Sequence, residues 1–263
     1  MAVNMRVSTI FTAALLATFA AAAPMPQPQF WWSWPRPTTT TTAPTPTQTG
    51  GTGGSIPTLP PSGTGGTQVG TSTCPSIEII AARGTTESQT NPTGMRPIFN
   101  EISRQISPFN QNVYNVVYPA SFNFGTGPSV GAADVISRLR SQSARCPNQK
   151  YVLAGYSQGA MVIVTALRDS GISAYDGKIA AIILFGNPYY DPFSAAAAGT
   201  QAGRSVSGFS RPKIPDNFVG RARDWCDSGD GVCTTGGFAI TSAHLAYGNK
   251  YPSEAAQFVK SKL

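Results

Sequence analysis

The segment Gly155-Tyr156-Ser157-Gln158-Gly159 sits between a short apolar run, Tyr151–Ala154, and a helical pattern. Strand, tight turn and helix around Gly-x-Ser-x-Gly form a nucleophile elbow, in which glycines let strand and helix approach while the serine hydroxyl stands clear. A serine hydroxyl is a poor nucleophile near neutrality and needs a base to take its proton. The chain has a single histidine, His244. A lone histidine is commonly structural, but downstream of a serine elbow its expected role is general base. An imidazole in that role needs an orienting carboxylate. Asp224, Asp227 and Asp230 all lie shortly before it. Asp230 is the expected partner, because Gly229 and Gly231 leave it sterically free and a Cys226–Cys233 bridge would hold its loop to one geometry; Asp227 is the main rival. The order Ser157, Asp230, His244 is that of α/β-hydrolases.

Acyl transfer through a serine also needs donors for the developing oxyanion, usually two backbone N–H groups. One is expected from Gln158, directly after the nucleophile. The other is expected from the loop Arg83-Gly84-Thr85-Thr86, where Thr85 could add its hydroxyl. Phe238 and Ile240 precede the histidine and Leu245 follows it, an apolar surface suited to an acyl-binding groove. The alternative is that these three side chains belong to the core. The chemistry calls for no cofactor and no metal. A zinc site would have no Cys-x-x-Cys pair and only one histidine to draw on.

The elements that must position these groups alternate in type. Ile77–Ala82, Val113–Tyr118, Tyr151–Ala154, Ile179–Phe185 and Phe218–Ala222 read as strands, several of them apolar on successive residues as in parallel strands covered on both faces. Pro97–Ile106, Val130–Arg145, Ala160–Ser170 and Ser253–Lys262 read as helices. Pro97 and Pro252 suit helix starts, and Ser253 can cap the last one. The pattern predicts an α/β domain with a central parallel sheet of about five strands between helices.

All four cysteines fall in this region. Cys226 and Cys233 are close enough to close one loop, which leaves Cys74 to Cys146, a tether from the start of the domain to the end of its second helix. A loop of that length could stabilise the fold by up to ~4 kcal/mol.

The 19 Lys and Arg against 12 Asp and Glu give a net charge of +7. The basic residues are scattered singly, which argues against a nucleic-acid partner. The first 22 residues carry a basic start, a short apolar stretch and small residues at their end, in an alanine run that continues to Ala23, the form of a secretory signal peptide rather than an integral membrane span. Export implies an oxidising compartment, which suits two disulfides. The terminal Ser261-Lys262-Leu263 has the form of a peroxisomal address; it conflicts with export and is read as the chance end of an amphipathic helix.

Residues 23–73 are dominated by Pro, Thr, Gly, Ser and Gln with one charge, Arg36. Such a composition cannot offset the entropy of ordering and predicts a disordered, O-glycosylated linker. Phe30-Trp31-Trp32-Ser33-Trp34 interrupts it, either as an aromatic patch for a polymer surface or as a tail of no defined role.

Four blocks together resemble the cutinase family, which also contains fungal acetylxylan esterases: Ala82-Arg83-Gly84-Thr85-Thr86-Glu87, the serine elbow, Cys226-Asp227-Ser228-Gly229-Asp230-Gly231-Val232-Cys233, and His244-Leu245-Ala246-Tyr247-Gly248. The resemblance runs from Cys74 to the C-terminus. It implies a small lidless α/β-hydrolase with two disulfides, the triad above, and an oxyanion hole from Thr85 and Gln158, Thr85 standing where many cutinases have Ser. Phe185-Gly186-Asn187-Pro188 and the loop Tyr118–Phe124 look like the cutinase-like and acetylxylan esterase branches, whereas the histidine block looks like cutinases. The expectation is a secreted, monomeric serine esterase acting on short to medium acyl esters and cutin-type polyester. Deacetylation of xylan is the alternative within this chemistry, and a non-catalytic adhesin or effector on a hydrolase fold is the alternative outside it.

Overall fold

The computed structural model describes residues 74–263 except Pro108, 205–210, Gly236 and Phe238. The expected signal peptide and linker lie outside the described residues. Six parallel strands form one sheet: β1 (Ile77–Ala82), β2 (Gln111–Asn115), β3 (Lys150–Tyr156), β4 (Ile179–Phe185), β5 (Ala197–Ala198) and β6 (Ala222–Trp225), in the order β2-β1-β3-β4-β6-β5.

Alternation within each strand builds two cores. Ile80, Leu153, Ile182 and Leu184 face one side, where α2 (Gly127–Arg145) and α3 (Gln158–Leu167) bring Val135, Leu139, Val162 and Ile163. Ile79, Val152, Ile183 and Phe185 face the other, against Ile98 and Ile102 of α1 (Arg96–Gln105) and Val259 of the last helix, α6 (Pro252–Lys260). Burial on both faces explains why β1 and β4 read as unbroken apolar runs. The exception in β1 is Glu78, fully buried, which accepts both nitrogens of a bidentate Arg138 guanidinium from α2 and a hydrogen bond from Asn112 Nδ2 at 2.8 Å.

The chain leaves β1 for α1 on one face of the sheet and leaves its neighbour β3 for α3 on the other. Adjacent strands whose connections diverge open a crevice at their C-terminal ends, where ligands of open α/β sheets bind. The Arg83–Thr86 loop and the serine elbow both lie there.

Two bridges staple the domain, Cys74–Cys146 and Cys226–Cys233, with Cα separations of 5.6 and 5.9 Å. Cys146 follows directly on α2, so the long bridge ties the residues before β1 to the end of that helix.

Three expectations are corrected. Phe218–Ala222 is not a strand: Asp216–Val219 forms a short helix, α4, after Pro215, and the strand begins only at Ala222. Phe218 and Val219 are apolar because a helical turn presses them onto the core. The second strand ends at Asn115, so the buried Val116 and Tyr118 that suggested its continuation lie in the loop beyond it. The last helix begins one residue early, with Pro252 in its first turn and no side-chain cap, so Ser253 lies inside the helix. The sixth strand, β5, is only two residues long and carries no readable periodicity.

Candidate active site

Ser157 occupies the single residue between β3 and α3, at φ 55° and ψ −121°. Such a backbone is unfavourable for a residue with a Cβ and persists only where the surroundings hold it. Its N–H donates to Phe185 O at 2.9 Å, pinning the elbow to β4. The flanking glycines have a steric reason. A Cβ on Gly159 would lie 1.9 Å from Ala82 O, and one on Gly155 would lie 2.6 Å from Gly159 O. Neither distance is tolerable, so a larger residue would push α3 off β1 and open the turn.

His244 is carried on a one-turn helix, α5 (Ser242–Leu245). Thr241 caps it, its Oγ1 accepting the His244 N–H at 3.3 Å and donating to Gly229 O at 2.9 Å. The same hydroxyl thereby joins the histidine segment to the Asp230 loop. Tyr156 supports the imidazole from below: its ring stacks on His244 with centroids 5.3 Å apart, and its hydroxyl donates to His244 O at 3.0 Å.

The three groups meet. His244 Nε2 is 3.0 Å from Ser157 Oγ, and Nδ1 is 2.9 Å from Asp230 Oδ2. Asp230 is fully buried and also accepts the Tyr247 hydroxyl at 2.7 Å on Oδ2 and the N–H groups of Val232 and Cys233 at 2.7 and 3.3 Å on Oδ1. Burial alone would raise its pKa; hydrogen bonds from His244 and Tyr247 and the His244 charge outweigh it and hold the carboxyl below the usual range. An ionised Asp230 accepts the Nδ1 proton, which leaves Nε2 free to accept from the serine hydroxyl.

Asp227 is occupied elsewhere. Its carboxylate accepts Thr200 N–H and Oγ1 at 3.1 Å, the Tyr251 hydroxyl at 2.6 Å, and an ion pair from Lys250 at 2.7 Å. It organises the loop beneath the site. Asp224 points to the α3 face, where Oδ2 accepts Asn187 Nδ2 at 2.8 Å.

On the other side of the serine, Gln158 is buried and, as the first residue of α3, has an N–H with no intrahelical partner. Thr85 lies opposite, its Oγ1 3.5 Å from Gln158 Oε1. Among the described residues the Thr85 N–H has no protein acceptor. Gln158 Nε2 also donates to Ser121 O at 2.8 Å, which fixes the Tyr118–Phe124 loop at the rim.

Ile240 and Leu245 are 57% and 65% exposed, so neither is core. Phe238 lies outside the described residues. Phe122, 74% exposed and edge-on to Phe124 at 6.3 Å, places a further apolar side chain on the Gln158 side, one that sequence reasoning missed. Tyr247 was missed as well, although its place three residues after His244 in a helical stretch was a usable signal.

A family model described as Cutinase matches residues 73–263. The chain belongs to the cutinase family. It is 35% identical over 203 residues to the probable carboxylesterase Culp3 of Mycobacterium tuberculosis, covering 72% of this chain and 70% of that one. Among solved structures it is similar to a cutinase-like protein from Cryptococcus sp., with TM-score 0.62 and 32% identity over 73% of this chain and 96% of the other. It is also similar to an acetyl xylan esterase solved as an iodinated complex, with TM-score 0.61 and 25% identity over 72% and 99%. The chain is therefore a cutinase-like carboxylic ester hydrolase. Among the described residues no helix is long and apolar enough to cross a membrane, and no group of side chains has the arrangement of a metal site.

Proposed function

We propose that this esterase works through Ser157 as nucleophile, His244 as general base and Asp230 as the orienting carboxylate, with Thr85 and Gln158 providing the oxyanion hole. The observation that carries this reading is the unbroken chain of contacts from Ser157 Oγ through His244 to Asp230, at 3.0 and 2.9 Å. His244 accepts the hydroxyl proton as Oγ attacks the ester carbonyl, and the oxyanion takes hydrogen bonds from the Thr85 and Gln158 N–H groups. The imidazolium then protonates the leaving alcohol, and an acyl-enzyme on Ser157 remains. Water deprotonated by the same histidine attacks it and releases the acid. The imidazole must be neutral to take the proton that begins each half-reaction.

The acyl portion lies across the exposed apolar side chains Ile240 and Leu245 and, on the opposite side, Phe122; Phe238 is assigned to acyl binding from its place in the sequence alone. Such a rim suits short to medium acyl chains and the chains of a cutin-type polyester. Deacetylation of xylan is the second reading, favoured by the likeness to acetyl xylan esterase. The enzyme acts outside the cell, a location that the two disulfides support; it works there as a monomer after loss of residues 1–22, with residues 23–73 as a linker. Ser157→Ala in the purified protein should abolish hydrolysis of a short-chain aryl ester. Retention of more than a trace would refute the assignment. Comparing butyryl esters and polyester with acetylated xylan on one preparation decides between the two substrate classes.

A further inference from the structure

Glu87 follows the oxyanion loop, and its carboxylate makes an unusual set of hydrogen bonds, all of them among the described residues to backbone N–H groups rather than to the triad side chains. Its Oε2 accepts the Gly84 N–H at 2.7 Å, and its Oε1 accepts the N–H groups of Thr93 and Gly94 at 3.0 and 2.7 Å. Its own N–H donates to Gly84 O at 3.2 Å. The Gly84 carbonyl and the Thr85 N–H belong to one planar, trans peptide unit and point to opposite sides of it. A donor gripping that carbonyl therefore aims the Thr85 N–H away from Glu87. The carboxylate fixes the preceding peptide through the Gly84 N–H, and Thr86 N–H fixes the following one by donating to Ala120 O at 2.7 Å. Among the described residues the Thr85 N–H is thus the unbonded member of a loop whose neighbouring peptide planes are both tied.

The tie is also directional. Thr86 and Ala120, joined by that bond, both have positive φ, 65° and 46°. A loop in that state relaxes unless held. On its far side Oε1 anchors to Thr93 and Gly94 at the entry to α1, a turn packed so closely on the histidine segment that a Cβ on Gly248 would lie 2.1 Å from Gly94 O. One carboxylate therefore connects the oxyanion loop to the backbone that supports His244.

We infer that Glu87 is a positioning residue for the oxyanion hole, holding the Thr85 N–H in its donating orientation before substrate arrives. The inference rests on the proposed role of Thr85. Preorganised donors stabilise developing charge because no rearrangement is needed during the reaction. Loss of the clasp should act on kcat rather than KM, since a ground-state carbonyl gains little from the hole.

The test is a pair of variants, Glu87→Gln and Glu87→Ala, assayed with an oxoester and the matching thionoester. Sulfur is larger and a weaker acceptor than oxygen, so the preference for the oxoester reports the hole itself. Glu87→Ala is expected to lower kcat for the oxoester by about 10- to 100-fold, the scale of an ångström-sized misplacement, with KM within about threefold and the thionoester less affected. Glu87→Gln keeps the shape but turns an NH2 toward one set of N–H donors, and its kcat for the oxoester should fall between wild type and alanine, with circular dichroism showing that both variants are folded at the assay temperature. A wild-type oxoester preference that survives intact in Glu87→Ala overturns the inference alone. A wild type with no preference overturns the Thr85 and Gln158 hole and the inference with it.

Discussion

Asp224 offers a stability measurement with a definite sign. Its carboxyl is buried on β6, one oxygen bonded to Asn187 and the other, Oδ1, without a partner among the described residues. Burial raises its pKa from 3.8 to about 7, the Asn187 hydrogen bond opposing and the Asp191 charge adding to the rise. In the unfolded chain the same group ionises near pH 4. Between about pH 4 and 7 the folded protein therefore holds a proton that the unfolded chain has released, and stability falls as pH rises through that window. A rise of about three pH units at about 1.4 kcal/mol each gives about 4 kcal/mol as the ceiling, reached above pH 7. Asp224→Asn removes the titration. Urea unfolding of both proteins across pH 4 to 8 isolates the effect as the change with pH in their stability difference, whatever constant offset the amide introduces. The difference should move by about 2–4 kcal/mol in favour of the amide variant between pH 4 and 8. A difference that stays flat would show that the carboxyl is ionised and stably partnered in the fold, contrary to this reasoning.

Tyr247→Phe deletes a donor to Asp230 and leaves the buried Asp227 N–H, which donates to that hydroxyl at 2.9 Å, without its acceptor. Loss of a hydrogen bond to a charged group should lower stability by about 1.5–3 kcal/mol. The Asp230 pKa then rises toward its unfolded value, so the part of the stability that is lost on acidification becomes smaller and its loss is complete at a higher pH; urea unfolding at a series of acid pH values checks this. Arg138→Ala strands the Glu78 carboxylate in the core and should destabilise by about 3–5 kcal/mol, with kcat unchanged in protein that remains folded. Leu245→Ser and Ile240→Ser should reduce kcat/KM for an octanoyl ester more than for an acetyl ester, each by roughly 3- to 10-fold from lost apolar contact, measured on matched aryl esters.

Much of the site was readable because its requirements are local. The glycines of the elbow are dictated by contacts within a strand–turn–helix unit, and the one histidine left no choice of base. The choice among Asp224, Asp227 and Asp230 was less secure, since each stands in the same short window. Loop path separates the three: the Cys226–Cys233 turn presents Asp230 to His244, Lys250 and Tyr251 claim Asp227, and the pleat of β6 sends Asp224 to the opposite face. β1 and β4 were legible as apolar runs because helices cover both faces. Phe218 and Val219 misled because two adjacent apolar residues fit a strand as well as a helical turn, and only the approach through Pro215 separates them. Glu87 stood in a block that resembles cutinases, but its contacts were not legible there, because its partners are backbone N–H groups that have no residue type.

The claim on which the rest depends is that Ser157 is the group acylated during turnover. A short-chain aryl phosphonate, incubated with the native protein and mapped by mass spectrometry of its peptides, tests it directly. One adduct per chain on Ser157, formed at a rate that parallels loss of esterase activity and absent from Ser157→Ala and from urea-unfolded protein, is the predicted result. Complete inactivation with the adduct on another residue, or full activity in protein labelled at Ser157, would contradict it.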